Sequence, residues 1–357
     1  MRHLILLLIL FAVPAAAGAA GNDTPAPQAT ATEAVHFTGR ALEGDDGSLS
    51  FDWSGSHFTF RFEGTRCTMH AADTHRNYYN VFVDGRLSGK ATTEGPCREI
   101  VLAEGLPAGE HTVLVQKRTE AEQGRTTLYG VSTDGRLLPP PAARKRLIEF
   151  IGDSHTCGFG TEGQSITEPF TPETENCDLA WGCILARCFD ADYTLIAHSG
   201  QGVVRNWGIR EERSEITMRE RIARTFDMEE TPAWDFSRYR PDIVVIKLGT
   251  NDFSTGTPSE KEFRSSFGAM YERLRSGYGP EVPILYVVPQ QSDAYYDYLR
   301  RIIAERGDAK LHVVPHTAAI HNNDSDLGAG YHPAPPAQPK PAAPRPPYPP
   351  PPPRPDP

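Results

Sequence analysis

The stretch Leu147–Ile151, with the sequence LIEFI, decides the fold of the larger part of this chain. It is short and almost wholly apolar, which is typical of a strand buried on both faces of a parallel sheet. Windows with helical spacing separate it from further runs of the same kind. These runs are Tyr193–Ala197, Ile243–Leu248, Ile284–Val288 and Leu311–Val314. Strands that alternate with helices predict a doubly wound α/β domain, which we place at residues 146–333.

Two of the helical windows have recognisable ends. Ser259-Glu260-Lys261-Glu262 has the pattern of a capping box, and apolar residues follow it on one helical face. The same spacing recurs from Tyr295 to Ile303, and Gly307 then has the position of a C-terminal cap. Ligands of such folds bind at the carboxyl ends of the strands, so motifs at those ends matter most for function.

The first half of the chain has a different period. Phe58, Phe60 and Phe62 alternate with polar residues, and Val81 and Val83 do so before the hairpin pair Asp84-Gly85. Several short strands with turn signals and no long helical window predict a small all-β sandwich domain over residues 35–137. The proline-rich stretch that begins at Leu138 predicts a stiff linker over residues 138–145.

The two termini differ in composition from the domains. Arg2 and His3 precede the apolar run Leu4–Val13, and small residues follow, which predicts a signal peptide over residues 1–20 and a secreted protein. The run is too short to span a bilayer, and a buried N-terminal helix is the alternative. Residues 21–34 are predicted to be a flexible leader, and residues 334–357 a disordered, proline-rich tail.

Charge and cysteine content limit the partners and the chemistry. The formal net charge of -10 argues against nucleic acid or an anionic membrane surface as a partner. Export makes the six cysteines candidates for disulfide bonds, and of the 15 possible pairings Cys67–Cys97 is our first hypothesis. The cysteines show no CxxC spacing, so the sequence predicts no metal site and no cofactor. It does not determine the oligomeric state.

Four short segments carry residues of chemical interest, each after a predicted strand. They are Ile151-Gly152-Asp153-Ser154, Ser199-Gly200-Gln201-Gly202, Leu248-Gly249-Thr250-Asn251-Asp252 and Tyr331-His332-Pro333. Each alone is most simply an ordinary turn, with Asp252 as a structural residue that holds neighbouring loops. Together they supply a serine nucleophile, two further donors for an oxyanion and a histidine base, which are the parts of an acyl-transfer site.

These four segments resemble the Ser, Gly, Asn and His blocks of the SGNH hydrolase superfamily. The whole chain, from about Val35 to Pro333, resembles carbohydrate esterase family two, in which a jelly-roll sandwich precedes an SGNH domain. Further stretches that carry the likeness are Tyr79–Gly85, Leu102–Glu120, Ile148–Gly160 and Ser199–Asn206. Members of this family remove acetyl groups from xylan and glucomannan without a metal.

The resemblance assigns roles to residues of this chain. It implies Ser154 as the nucleophile and His332 as the base. It makes the Ser154 N–H, the Gly200 N–H and the Asn251 amide the oxyanion hole. It also places Phe253 where the family often has an aromatic residue against the sugar, although a core position is an equal alternative. The implied substrate is an acetylated polysaccharide or oligosaccharide.

Two features depart from the family pattern. SGNH proteins usually have an aspartate two or three residues before the histidine, and this chain has Ala329 and Gly330 there, with Asp324 and Asp326 out of register. Either a Ser–His dyad operates, with a backbone carbonyl orienting the ring, or activity is reduced. The proline-rich tail replaces a family helix. We hypothesise a frame change or truncation, which resequencing of the gene would test.

Two other functions compete with the esterase. A lipase or phospholipase of the same superfamily would need a long acyl groove, and the sequence shows no apolar lid. A non-catalytic carbohydrate-binding protein is favoured by the missing acid and disfavoured by the four retained segments. Comparison of acetyl with long-chain nitrophenyl esters separates the esterase from a lipase, and sugar binding without ester hydrolysis would decide for the binding protein.

Overall fold

The computed structural model of this chain describes residues 26–289, 293–315 and 327–333. The signal peptide predicted over residues 1–20 and the tail predicted over residues 334–357 lie outside the described residues. The described residues form two sheets, one antiparallel and one parallel. Among the described residues, no helix combines the length and the apolar character that crossing a bilayer requires.

The first half of the chain forms a 10-stranded antiparallel sheet, so the predicted all-β domain is confirmed. A short helix, α1, spans Ala31–Ala34. The strands are β1 (Ala29–Thr30), β2 (His36–Thr38), β3 (Leu42–Glu43), β4 (Leu49–Phe51), β5 (His57–Gly64), β6 (Cys67–Val83), β7 (Arg86–Ala103), β8 (Gly109–Lys117), β9 (Thr126–Thr133) and β10 (Arg136–Leu138). The main path runs β10-β5-β8-β6-β9-β4-β3. The alternating Phe58, Phe60 and Phe62 all face its core.

Strand β6 joins the two parts of this sheet. Its last residues, Tyr79–Val83, pair with β8, whereas Cys67–Asp73 pair with β9. Register shifts between Ala71 and Arg76 interrupt its ladder with β7. Bulges of this kind bend a strand and increase its twist, so one 17-residue strand contributes to both parts of the domain.

Part of the leader predicted over residues 21–34 is ordered, which corrects that prediction. Strand β1 pairs antiparallel with β9, with Thr30 opposite Gly130. The side chains of Ala31 and Ala34 in α1 are buried in the core of the antiparallel domain. Two alanine side chains are enough to fill this part of the core, so the segment has no apolar run in its sequence. Its small, polar composition therefore predicted a flexible leader.

The second half of the chain forms a five-stranded parallel sheet in the order β12-β11-β13-β14-β15, which confirms the α/β prediction. Its strands are β11 (Leu147–Gly152), β12 (Asp192–Ala197), β13 (Ile243–Lys247), β14 (Ile284–Val287) and β15 (Leu311–Val314). Its helices are α2 (Ser154–Cys157), α3 (Trp181–Cys188), α4 (Met218–Arg221), α5 (Glu260–Tyr278) and α6 (Asp293–Arg306). Ser259 caps α5 as predicted, with its hydroxyl accepting the Glu262 N–H at 3.3 Å.

Apolar side chains cover both faces of the parallel sheet. Ile151 and Ile246 point to the face packed by α5 and α6, whereas Phe150 and Val245 point to the face packed by α3. This alternation explains why the strands are apolar at nearly every position. The first strand of this sheet, β11, has β12 on one side and β13 on the other. The strand order therefore changes direction at β11, and ligands of doubly wound folds bind beside such a point.

A buried arginine connects the two domains. Arg40 belongs to the antiparallel domain and is fully buried. Its Nη1 donates to the carbonyls of Ile222 and Arg224 at 2.8 and 2.9 Å, and its Nη2 lies 3.5 Å from the buried Glu149 carboxylate on β11. Tyr239 and Tyr278 donate their hydroxyls to the same carboxylate oxygen. All of these contacts with the carboxylate go to Glu149 Oε2, whereas Glu149 Oε1 is buried without a hydrogen-bond partner among the described residues.

The disulfide hypothesis is wrong for Cys67 and Cys97. All six cysteines lie in the described residues, and no disulfide joins any of them. Cys67 lies opposite Ala103 on β7, whereas the partner of Arg98, the neighbour of Cys97, is Ala71. Four residues of strand amount to about 13 Å. A disulfide needs its Cα atoms within about 7 Å, so this pair is out of reach.

Candidate active site

Ser154 is the first residue of α2 and follows β11 after a tight turn. The Asp153 carboxylate caps the helix by accepting the His155 N–H at 3.1 Å. A side chain at Gly152 would overlap Thr156, so only glycine allows the strand to turn this sharply into the helix. The turn leaves Ser154 partly exposed at the carboxyl edge of the sheet.

His332 lies on a loop that docks on the segment after α2. Gly160 accepts the Ala329 N–H at 3.0 Å, and the Glu168 carbonyl accepts the Gly330 N–H at 3.3 Å. Residues Gly330 and Tyr331 both have left-handed backbone, with φ of 61° and 63°. Consecutive left-handed residues turn the chain sharply. This turn brings His332 back over the serine, 178 residues away in sequence.

The Ser154 hydroxyl and the His332 ring are in direct contact. Ser154 Oγ lies 2.7 Å from His332 Nε2. The other ring nitrogen, Nδ1, lies 2.9 Å from the Gly330 carbonyl oxygen, which can only accept. The proton of the neutral ring is therefore on Nδ1, and Nε2 is left to accept from the serine hydroxyl. Asp324 and Asp326 lie outside the described residues.

Two charged side chains act on the His332 imidazole. Burial lowers the pKa of His332, while the Gly330 carbonyl and the charge of Glu120 raise it and Lys247 lowers it further; the net direction is downward. The ring also packs against Phe159, with centroids 4.6 Å apart. A half-buried imidazole with a lowered pKa is neutral at pH 7, which is the form that accepts a proton.

Gly200 and Asn251 follow the ends of β12 and β13, the two strands that flank β11. The Asn251 Nδ2 donates to the Gln201 carbonyl at 2.8 Å and lies 3.5 Å from Asp153 Oδ2. Asn251 therefore contacts the immediate neighbours of both Gly200 and Ser154. Gly200 has a φ of 75°, and among the described residues no group accepts its N–H. The three residues predicted to supply oxyanion donors thus follow the ends of three adjacent strands, at one edge of the sheet.

Asp252 has the structural role that the sequence predicted. Its buried carboxylate accepts the backbone N–H groups of Val203, Val204 and Arg205 at 3.0, 2.6 and 3.2 Å. Burial raises the pKa of Asp252, while these backbone donors lower it in part. The carboxylate holds the loop after Gly200 against the strand end that carries Asn251.

Aromatic side chains around the site divide into packed and exposed ones. Phe253 is partly buried and packs edge-on against Tyr295 at 5.3 Å, so it belongs to the margin of the core. Trp207 and Tyr331 are 71% and 66% exposed. The Trp207 N–H donates to the Gly200 carbonyl at 2.8 Å, and Tyr331 directly precedes His332. No motif assigned a role to either residue, although Tyr331 lies in the fourth short segment and Trp207 directly follows the stretch Ser199–Asn206.

Burial and charge reveal further residues that no motif indicated. Lys247, at the end of β13, lies 3.2 Å from His155 Nδ1, and burial lowers its pKa. Burial raises the pKa of Asp153 to about 6, while Lys247 lowers it in part. Among the described residues, no group of three or more His, Cys, Asp or Glu side chains is arranged to hold a metal ion.

A serine with a histidine on its hydroxyl, beside amide donors from two further strand ends, is the arrangement of the serine acylhydrolases. Comparison with known families agrees with this class. Residues 37–141 match the carbohydrate esterase 2 N-terminal domain, and residues 150–339 match the GDSL-like lipase/acylhydrolase family. The chain therefore belongs to the GDSL-like lipase/acylhydrolase family, with a carbohydrate esterase 2 N-terminal domain before it.

Three similar proteins illustrate this relationship. The cellulase/esterase CelE of Acetivibrio thermocellus is 31% identical over 84% of this chain and 37% of its own length. An acetylxylan esterase/glucomannan deacetylase of Cellvibrio japonicus is 30% identical over 65% of this chain and 64% of its own length. The solved structure of a family two carbohydrate esterase from Clostridium thermocellum with cellohexaose has a TM-score of 0.78 and 30% identity, covering 84% of this chain and 93% of that one. This chain thus spans less than two thirds of either curated relative.

Proposed function

We propose that this protein is a serine esterase that removes O-acetyl groups from a polysaccharide of the xylan or glucomannan type. The observation that carries the proposal is the 2.7 Å contact between Ser154 Oγ and His332 Nε2, with Nδ1 held by the Gly330 carbonyl. The relatives named as esterases and deacetylases support the reaction class.

In the proposed mechanism, Ser154 attacks the acetyl carbonyl while His332 Nε2 takes the hydroxyl proton. The negative charge on the carbonyl oxygen is stabilised by the Ser154 N–H, the Gly200 N–H and the Asn251 amide. The imidazolium then protonates the departing sugar alkoxide, which leaves an acetyl group on Ser154. A water molecule, deprotonated by the same imidazole, attacks this ester. When the second intermediate collapses, the imidazolium returns its proton to Ser154 Oγ and acetate is released.

The dyad replaces the aspartate of a triad with a carbonyl oxygen. An aspartate holds the imidazole tautomer and stabilises the imidazolium by its charge. The Gly330 carbonyl performs the first task through its 2.9 Å contact with Nδ1. A carbonyl brings only a partial charge to the second task, so the proposed site needs negative charge from elsewhere.

The substrate proposal rests on the exposed aromatic side chains and on the relatives. Trp207 is bonded to the Gly200 turn, Tyr331 directly precedes His332, and both side chains are well exposed. Flat aromatic faces suit the apolar faces of pyranose rings, and an acetyl group is too small to position a substrate by itself. One similar structure holds cellohexaose, which is a β-linked glucan oligosaccharide. Contact of Phe253 with the sugar stays a prediction.

The finer points of domain organisation and location are part of the same proposal. We propose that the antiparallel domain, predicted over residues 35–137 and extended by β1 and α1 to begin at Ala29, is a jelly-roll sandwich, that the hydrolase domain spans residues 146–333, and that the protein is secreted. The ends of β10 at Leu138 and the start of β11 at Leu147 support these bounds. Substrates of this size occur outside the cell, which supports secretion.

Replacement of the nucleophile tests the proposal directly. We expect Ser154→Ala to abolish acetate release from acetylated xylan and acetylated glucomannan while the circular dichroism spectrum stays unchanged. Ser276→Ala, an exposed serine on α5, is the matched control and should keep full activity. Turnover of Ser154→Ala near that of the unaltered protein would refute the assignment. Comparison of acetyl with long-chain nitrophenyl esters distinguishes the esterase from a lipase.

A further inference from the structure

A turn of the antiparallel domain lies directly against the end of β12. It contains Glu120 and the 3-10 helix Ala121–Gln123, between β8 and β9. The Glu120 carboxylate accepts the Ser199 N–H at 2.6 Å and also the Ser199 hydroxyl proton. Two residues further on, Glu122 Oε1 lies 3.3 Å from His198 Nε2. One turn therefore binds two consecutive residues that precede Gly200.

The contact between Glu122 and His198 is an ion pair. Burial lowers the pKa of His198, but Asp227 and Glu122 outweigh that effect and raise it to about 10. Asp227 Oδ2 lies 2.5 Å from Nδ1 of the same ring. The imidazole is cationic at neutral pH and is held on both sides, so the start of the Gly200 turn is fixed.

Glu120 is itself held in place from several directions. Its side chain is buried, with the residue 3% exposed. Its N–H donates to the buried Glu175 carboxyl at 3.1 Å, and its carbonyl accepts from Lys117 Nζ at 3.0 Å. Burial and the neighbouring Glu120 carboxylate raise the pKa of the Cys157 thiol. Because these contacts hold the Glu120 side chain in one position, Glu120 in turn holds Ser199 in place.

The position of Ser199 sets the direction of the Gly200 N–H. This N–H lies in the peptide plane between Ser199 and Gly200, so fixing Ser199 fixes one end of that rigid plane. The Gln201 N–H closes the turn on the His198 carbonyl at 3.3 Å, and the Gly200 carbonyl accepts the Trp207 N–H at 2.8 Å. The peptide group is thus constrained on both sides, and its own N–H stays available for a ligand.

We propose that Glu120, supplied by the antiparallel domain, is a positioning residue that orients the Gly200 N–H of the oxyanion hole. This inference rests on the proposed esterase site. It gives the N-terminal domain a direct part in the chemistry, because the oxyanion hole is complete only when the turn at Glu120 is docked. Preorganised donors matter since misplacement of about 1 Å costs on the order of 100-fold in rate.

The same carboxylate acts on the base through its charge. Glu120 raises the pKa of His332, and Lys247 on β13 opposes it. His155 on α2 faces the ring as well, with centroids 5.4 Å apart, and the uncharged Phe159 covers another side. Glu120 therefore supplies negative charge that the Gly330 carbonyl lacks, which stabilises the imidazolium formed when the serine is deprotonated.

Three variants of the full-length protein test the proposal, with a nitrophenyl acetate assay. In Glu120→Gln the charge is lost and one acceptor oxygen becomes an NH2 donor, so the Ser199 hydroxyl has to change from donor to acceptor and neither contact is charge-assisted any longer; we expect kcat to fall by about 10- to 100-fold with KM within about threefold. Ser199→Ala removes only the hydroxyl bond and should lower kcat less. Glu229→Gln breaks the exposed contact with Arg125 across the same domain boundary and should leave kcat unchanged.

Two further readouts separate positioning from a purely structural role. The acidic limb of the kcat/KM profile should move to lower pH in Glu120→Gln and stay in place in Ser199→Ala, because only the first removes a charge near His332. Hydrogen exchange of the peptide that contains residues 198–202 should quicken in Glu120→Gln, with an unchanged unfolding midpoint. This second readout does not depend on activity.

The outcomes distinguish this inference from the proposed function. An unaltered protein without esterase activity, but with faster exchange in Glu120→Gln, would refute the function and support the contact. An active protein in which Glu120→Gln keeps its kcat and its acidic limb would overturn the inference and leave the function standing. If Glu120→Gln does not fold, a kcat for Ser199→Ala equal to that of the unaltered protein would equally overturn it.

Discussion

The buried arginine between the domains allows a stability prediction with a magnitude. Arg40→Met keeps the length of the side chain and removes its donors. The carbonyls of Ile222 and Arg224 lose partners at 2.8 and 2.9 Å, at about 1–3 kcal/mol each. The Glu149 carboxylate loses its cation, and breaking a buried ion pair costs about 3–5 kcal/mol. The 3.5 Å separation of that pair places its cost at the lower end.

We therefore expect the free energy of unfolding to fall by about 5 kcal/mol in Arg40→Met. At about 2–4 °C per kcal/mol for a protein of this size, the thermal midpoint falls by at least about 10 °C. The double variant Arg40→Met/Glu149→Gln removes the buried charge as well and should recover about 2 kcal/mol. Urea unfolding, followed by tryptophan fluorescence, measures the free energy of unfolding of both variants.

Two results would refute this reasoning. One is a loss below about 1 kcal/mol in Arg40→Met, which would mean that the buried donors contribute little. The other is a double variant whose loss of unfolding free energy equals the sum of the losses in the two single variants. Additive losses would mean that Arg40→Met does not leave a buried charge without its partner. Arg61→Met is a suitable control, because its contact with Glu110 is exposed and belongs to one domain.

Three shorter predictions concern the site. Asn251→Ala should lower kcat for nitrophenyl acetate by about 100- to 1,000-fold with little change in KM, and a loss below threefold would remove Asn251 from the oxyanion hole. The kcat/KM profile should rise through a midpoint below pH 6.5, because burial lowers the pKa of His332 and only its neutral form accepts the serine proton; a midpoint above 6.5 would contradict this. Asp252→Asn places an amide donor among the N–H groups of residues 203–205 and should lower the free energy of unfolding by about 2–3 kcal/mol, whereas an unchanged urea midpoint would show that the carboxylate is not needed there.

Much of the parallel domain could be predicted from the sequence because its strands are apolar on both faces. All five predicted strands are present, with bounds that differ by at most one residue. The antiparallel domain was harder. Strands β6 and β7 have 17 and 18 residues and pass through bulges, so the pattern of alternation changes phase within one strand. The ordered leader was missed because its contacts are made by alanines.

The dyad could be predicted only as a spatial hypothesis, and the structure brings Ser154 and His332 together. What fixes the histidine could not be inferred from the sequence, because the hydrogen bonds that dock the described part of its loop go to backbone carbonyls of Gly160 and Glu168. Glu120 and Arg40 also gave no signal. Each acts across the domain boundary, and a contact between distant segments leaves no local pattern. The Cys67–Cys97 pairing was wrong because the register of β6 against β7, which separates the two residues, also leaves no local pattern in the sequence.

The acceptor for His332 Nδ1 is a main-chain oxygen, and this has a consequence for how the site tolerates sequence drift. No substitution of one amino acid for another can delete a carbonyl, whereas a single base change removes an aspartate. The vulnerable property is instead the left-handed backbone of Gly330, which a β-branched residue would oppose. The group that orients His332 is therefore retained for as long as the backbone conformation at Gly330 is retained. An alignment that searches for an aspartate at this position would overlook the carbonyl that takes its place.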